Sequence, residues 1–127
     1  MKILFLTFYF EPDLCAGSFR NTPLFRELLQ QMDEKDWIHV ITTQPNRYHS
    51  FHVEGQAREI SDNYRIDRIR VPEHKSGFID QVRSFRVFYN EALRLAGKER
   101  YDLVYASSSR LFTAFLGRRI AGKQRIP

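Results

Sequence analysis

The feature that most constrains this chain is its alternation between short β-branched apolar runs and longer stretches whose apolar residues recur every three or four positions. Ile3 to Phe8 is a continuous apolar run, the pattern of a strand covered on both faces. Thr22 and Pro23 then offer a helix cap and first helical residue, and Leu24, Phe25, Leu28, Leu29 and Met32 continue at helical spacing to about Asp33. Tyr9 to Asn21 is left as a loop. Trp37 to Thr43 is a second β-branched run, followed by the long polar loop Gln44 to Gln56. Arg58 to Ile60 and Tyr64 to Val71, joined through Asp62-Asn63, predict a hairpin that Pro72 stops. From Gly77, the spacing of Phe78, Val82, Phe85, Tyr89, Ala92, Leu93 and Ala96 predicts a long amphipathic helix to about Gly97. Tyr101 to Ala106 predicts another strand, with Ser107 to Ser109 as caps for a helix over Leu111 to Ala121 and Gly122 just past its end. Arg125-Ile126-Pro127 has the look of a step into one more strand.

This order of elements predicts the α/β class: βαβ units with right-handed crossovers, built as a Rossmann-like three-layer α/β/α sandwich around a mainly parallel sheet. The 127 residues suit one domain with one core. No stretch approaches the ~20 apolar residues of a bilayer crossing. The apolar start lacks a small-residue cleavage site and meets Glu11, Pro12 and Asp13 at once, so it is expected to be a strand and not a signal peptide. The single Cys15 cannot form an internal disulfide, and cytoplasm is the expected location. A formal charge of +5 favours anionic partners without choosing among them.

In an open α/β sheet, ligands bind beyond the carboxyl ends of the strands, where strand order reverses. That rule selects the loops Tyr9 to Asn21, Gln44 to His52, Pro72 to Gly77 and Ser107 to Arg110. The candidate binding residues on them are Gly17, Ser18, Arg20, Arg47, Tyr48, His49, His74, Lys75, Ser107, Ser108, Ser109 and Arg110. Gly17 and Ser18 before a helix would let backbone N–H groups approach an anion, or simply serve a turn. Arg20 offers a fork donor for phosphate. The three serines would hold an anion or sugar hydroxyls, or cap the helix behind them. No Gly-x-Gly-x-x-Gly, no P-loop and no Gly-x-Ser-x-Gly elbow occurs, which removes the usual support for dinucleotide binding, NTPase and hydrolase activity. The histidines lack metal-ligand spacing, so neither a metal nor a cofactor is expected, and His39 inside a strand reads as structural. Arg83, Arg86 and Arg94 form a stripe on the long helix near Ile79, a face suited either to an anionic membrane or to solvent. Nucleic acid is not an expected partner, because most phenylalanines fall on core faces rather than on a basic stacking surface.

Tyr9-Phe10-Glu11-Pro12 after the opening strand, then Gly17-Ser18-x-Arg20 leading toward Trp37-Ile38-His39-Val40-Ile41-Thr42-Thr43, resembles the N-terminal domain of family 4 glycosyltransferases of the GT-B fold. Arg65 to Pro72 and Tyr101-Asp102-Leu103-Val104-Tyr105-Ala106-Ser107-Ser108 are similar to later segments of that domain, and the pattern covers nearly the whole chain. The family's Gly-Gly pair is Ala16-Gly17 here, and its Gly-His-Glu-Val segment is replaced by Asp36 to Val40. The resemblance implies residues 1 to 127 as an N-terminal, acceptor-side domain of a retaining glycosyltransferase, inactive alone. A nucleotide-sugar donor would be held mainly by a C-terminal domain absent from this chain, and a sugar or lipid-linked acceptor would be used in surface polysaccharide or glycolipid synthesis, with peripheral contact at the inner membrane face. It places binding roles on Gly17, Ser18, Arg20 and Ser107 to Ser109, and no catalytic residue. The alternative is a stand-alone α/β module that binds a ligand or anion without catalysis.

Overall fold

In the computed structural model, residues 1–45, 53–72, 77–108 and 110–127 are described. They form the strands β1 (Lys2–Leu6), β2 (Trp37–Thr43), β3 (Arg58–Ile60), β4 (Tyr64–Ile69) and β5 (Leu103–Ala106), and the helices α1 (Ala16–Gln31), α2 (Phe78–Ala96) and α3 (Leu111–Gln124). One open sheet runs in the order β3-β4-β2-β1-β5. Four strands are parallel, and β3 joins antiparallel at the edge, as expected for a hairpin.

β1 lies between β2 and β5, with Leu4 opposite both His39 and Val104. Its alternating side chains enter two separate cores. Ile3 and Phe5 pack with Phe10, Phe25, Ile38, Val40 and Ile66 beneath α1. Leu4 and Leu6 pack on the other face with Ile41, Phe88, Ala92, Leu95 and Leu116 beneath α2 and α3. One helix therefore covers one face and two cover the other, and the mixed α/β architecture agrees with the expected class.

Several boundaries differ from the sequence expectation: β1 (Lys2–Leu6), β4 (Tyr64–Ile69) and β5 (Leu103–Ala106) are each trimmed by about two residues at one end, and the helices differ more. α1 begins at Ala16, with Cys15 as cap residue, and Pro23 lies inside it. An interior proline loses a hydrogen bond and typically costs ~3 kcal/mol, but Pro23 faces solvent while Gly17, Ser18, Asn21, Thr22 and Phe25 are buried along the opposite stripe. That contact holds the helix together across the proline. Thr22 is no cap; its hydroxyl accepts a hydrogen bond from the Glu11 N–H at 3.2 Å. α3 continues through Gly122 to Gln124 and ends on Arg125, whose backbone is left-handed (φ 58°). Its N-terminal cap position is Arg110 without a side-chain cap bond, so the expected serine cap is not formed there. Beyond α3 the carbonyl of Pro127 accepts from Val104 N–H at 2.9 Å, alongside β5.

A buried polar cluster lies toward the amino ends of the strands. His39 is fully buried between Tyr101, whose hydroxyl donates to Nδ1 at 2.6 Å, and Asp67, which accepts from Nε2 at 2.8 Å. Arg58 and Arg65 also reach Asp67, at 2.7 and 3.0 Å, and Arg65 bridges to Glu99 at 2.7 Å. Glu99 pairs in turn with Lys2. Burial lowers the pKa of His39 below 6.5 despite its bond to Asp67, with the Arg65 charge adding to the effect. Burial opposes ionisation of Asp67, but bonds from His39 and Arg58 outweigh it and lower its pKa from 3.8 to about 2. His39 thus has the structural role expected of it.

Two measurements test this account. The unfolded chain takes up a proton at His39 below pH 6.5 and at Asp67 near 3.8, before the folded protein does at either group. The stability that these two groups contribute is therefore complete above pH 6.5, declines below it, and falls again between about 4 and 2. Urea unfolding across pH should show both limbs, and Asp67→Asn should flatten the lower one. Separately, a Cβ at Gly117 would lie 2.5 Å from the Ala106 Cβ. Gly117→Ala should force α3 away from β5 and lower stability by about 1–3 kcal/mol in the same assay.

Candidate functional site

From β1 the chain moves outward through β2 to β4 on one side, then returns through α2 to β5 on the other. Strand order therefore reverses between β1 and β5, and the crevice at their carboxyl ends is the switch point where open α/β sheets take ligands. Four pieces of chain meet there: residues 7–15 after β1, the first turn of α1, Ser107 and Ser108 after β5, and Arg110 before α3.

Asn21 joins three of them. It is fully buried, and its Nδ2 shares two hydrogens among Thr7 Oγ1 (2.7 Å), Ser107 Oγ (3.2 Å) and the Tyr9 carbonyl (3.3 Å). Thr7 Oγ1 donates onward to the same Tyr9 carbonyl at 2.9 Å. Among the described residues, Asn21 Oδ1 has no hydrogen-bond partner. Thr43 Oγ1 anchors the loop from the other side by donating to the Phe8 carbonyl at 2.6 Å. The β1 loop is thereby tied to α1, β2 and the β5 loop.

Tyr9 is the next link. A Cβ on Gly17 would meet the Tyr9 side chain at 3.0–3.1 Å, so glycine is needed where the helix closes on that ring. This packing, rather than a turn, accounts for Gly17, whose φ is not positive. The Tyr9 hydroxyl accepts from Arg110 through Nη2 (2.6 Å) and Nε (3.2 Å). The Arg110 guanidinium also lies 5.6–5.8 Å from the ring centres of Phe8, Tyr9 and Phe85. Three aromatic rings and a phenol fix the cation, and among the described residues no carboxylate neutralises it. Such a guanidinium keeps N–H donors for an anion or for sugar hydroxyls. The first-turn N–H groups of a helix lack intrahelical partners, and Cys15 supplies no side-chain cap to α1, so the positive end of its dipole adds to the potential here.

Of the expected site residues, the structure brings Gly17, Ser18, Ser107, Ser108 and Arg110 to this switch point. Gly17, Ser18 and Ser107 are buried, and Ser108 is exposed. Arg20 is exposed on α1 and makes no ion pair among the described residues. Arg47, Tyr48, His49, His74, Lys75 and Ser109 lie outside the described residues. Gln44 and Gly55 exchange two hydrogen bonds at 2.9 and 3.1 Å. The proposed arginine stripe is divided: Arg83 and Arg86 are exposed and unpaired among the described residues, whereas Arg94 pairs with Glu91. Arg94 lies about 16 Å farther along α2 than Arg83 at the ordinary helical rise. Phenylalanines are also less uniformly buried than expected, since Phe19, Phe78, Phe112 and Phe115 are exposed. Thr7, Tyr9 and Asn21 were missed. Asn21 falls four residues after Gly17 and four before Phe25, and that buried-stripe spacing was its one available signal.

Among the described residues no group of His, Cys, Asp or Glu side chains is arranged to hold a metal ion, and no helix is long and apolar enough to cross a membrane. No family model matches this chain, and no curated protein matches it significantly in sequence.

Asn21→Ala removes the donor that Thr7, Tyr9 and Ser107 share. Loss of that bonding should cost about 1–3 kcal/mol. Amide exchange should accelerate in residues 7–10 and 106–108 more than in β2, a contrast that hydrogen-exchange measurements would resolve.

Proposed function

We propose that this chain supplies the acceptor-side wall of a glycosyltransferase cleft, as the Rossmann-like N-terminal half of a GT-B enzyme. The observation that carries the proposal is Arg110 at the β1/β5 switch point, fixed by Tyr9, Phe8 and Phe85 without a carboxylate partner among the described residues. The sequence resemblance supplies the reaction class. The α/β layering and mostly parallel sheet are compatible with it.

In this reading Arg110 engages a phosphate or a sugar hydroxyl of the acceptor, and Ser107 and Ser108 flank it. Thr7, Tyr9 and Asn21 act as positioning residues, because each acts through Arg110 or the loop backbone. The activated sugar is brought by a second domain, and closure of the two would exclude water from the cation-like transition state. The chain alone would therefore hold an acceptor fragment but neither grip the donor firmly nor transfer its sugar.

Calorimetric titration separates these roles. Sugar phosphates should bind this chain with a Kd in roughly the millimolar range or tighter, and Arg110→Ala should weaken them by about tenfold or more through loss of a charged hydrogen bond. Nucleotide sugars should bind more weakly than sugar phosphates. Micromolar binding of a nucleotide sugar, or sugar-phosphate binding indifferent to Arg110→Ala, would contradict the division of labour.

A further inference from the structure

Where α2 and α3 pack side by side on the sheet, their apolar faces do not close over one another. Phe78, Val82, Phe85 and Tyr89 recur along α2 at steps of four, three and four residues, a single stripe about 16 Å long at the ordinary helical rise. Phe112 and Leu116 meet this stripe from α3, with the Phe85 and Phe112 rings 5.1 Å apart. The groove between the helices holds about 250 Å³, with buried Phe88 and Leu116 at its floor. Around it Phe78 is 82% exposed, Val82 45%, and Phe112 and Phe115 55% each. Large apolar groups gathered in one exposed patch mark a contact surface.

Charge decides what kind of contact fits. Arg86 lines the groove on the α2 side, and Arg119 reaches over from α3 to donate to the Tyr89 hydroxyl at 3.0 Å. Both are exposed, and neither joins an ion pair among the described residues. α3 contains no acidic residue, and Asp80 is the one acid between Phe78 and Asn90. An aromatic floor with cations along its banks has the anatomy of a protein interface, apolar at the centre and charged at the rim. The volume favours the same conclusion, because it suits side chains entering from a helix and falls below the ~300–1,000 Å³ of pockets that take whole drug-sized ligands. A second copy of this chain would bring like charge to both banks, which is unfavourable. A helix with apolar anchors at i, i+3, i+4 and i+7 and carboxylates beside them satisfies both the groove and its banks.

We propose that the α2/α3 groove is the docking site for an acidic amphipathic helix of a partner protein, with the partner's apolar anchors among Val82, Phe85, Phe112 and Leu116 and its carboxylates on Arg86 and Arg119. The apolar side chains supply the contact area, and the two arginines select the sign of the partner's charge. It stands independently of the transferase proposal.

Fluorescence anisotropy tests it with a labelled synthetic helix of about 15 residues, carrying leucines on one face and glutamates on the other. The chain should bind this peptide with a Kd of roughly 100 μM or tighter, and the same peptide with lysines for glutamates about tenfold more weakly or worse. R86E/R119E should reverse that order, weakening the glutamate peptide by about tenfold or more and favouring the lysine peptide. V82S/F112S should weaken the glutamate peptide by about tenfold or more through lost apolar contact. These variants alter exposed side chains, so an unchanged thermal midpoint is the control for folding; where V82S/F112S proves unfolded, the charge reversal alone decides. Absence of glutamate-peptide binding, or a preference between the peptides that R86E/R119E leaves unchanged, overturns the proposal. So does a dimer in solution that V82S/F112S dissociates, or sedimentation with phosphatidylglycerol vesicles that the same variant abolishes, because the groove would then serve a second copy or a bilayer.

Discussion

The rest of the structure depends on the burial of β1 on both faces and both edges. Leu4, Phe5 and Leu6 are wholly inaccessible to solvent, and their side chains alternate between two cores that otherwise share no wall except the sheet. Such a strand has one workable register, because a slip of one residue would exchange the side chains entering the two cores. With β2 and β4 on one side of β1 and β5 on the other, α1 must cross on one face and α2 on the other to keep the crossovers right-handed. The reversal of strand order then falls beside β1, and residues 7–15 emerge at it.

Two polar clusters sit at opposite ends of this frame and are built differently. At the amino end, His39, Asp67, Arg58, Arg65, Glu99, Lys2 and Tyr101 satisfy one another in a connected set of ion pairs and hydrogen bonds. Breaking one member of such a set leaves a buried charge exposed to a poor environment, which is a structural dependence. At the carboxyl end, Asn21 satisfies the oxygens beneath the loop, but Arg110 above it meets, among the described residues, a phenol and ring faces. A cation rigidly held, with no counter-charge among the described residues, retains capacity for something from solution. That contrast is why the carboxyl end, and not the His39 cluster, is the candidate site.

Much of the fold was legible because the apolar periods were clean. Trp37 to Thr43 forms a strand with the predicted ends, and the period of Phe78 to Ala96 located α2 to within a residue. α1 was misjudged at its start because Thr22-Pro23 has the local chemistry of a helix beginning. Its true first turns, Ala16 to Asn21, carry small and polar residues that bury against Tyr9 and Thr7, and this tertiary preference leaves no apolar period to read. Arg110 and Ser107 could be chosen from their place after a strand, since that rule needs only element order. Their partners could not. Asn21 looks like a surface residue in the sequence, and the Tyr9 to Arg110 bond joins positions 101 residues apart. Ser107 to Ser109 suggested a helix cap by residue type, yet Arg110 takes the cap position while Ser107 turns inward to Asn21.

The central claim is that the crevice between the β1 and β5 loops receives an anionic sugar ligand through Arg110. Chemical-shift mapping of the labelled chain with glucose 1-phosphate tests it most directly. The account predicts perturbations concentrated in residues 7–21 and 106–112, with the largest at Tyr9, Ser108 and Arg110. Perturbations centred instead on Arg68 to Arg70 of the β4 end and Val87 to Leu95 of α2, which line a separate groove, or on the His39 cluster, would contradict it.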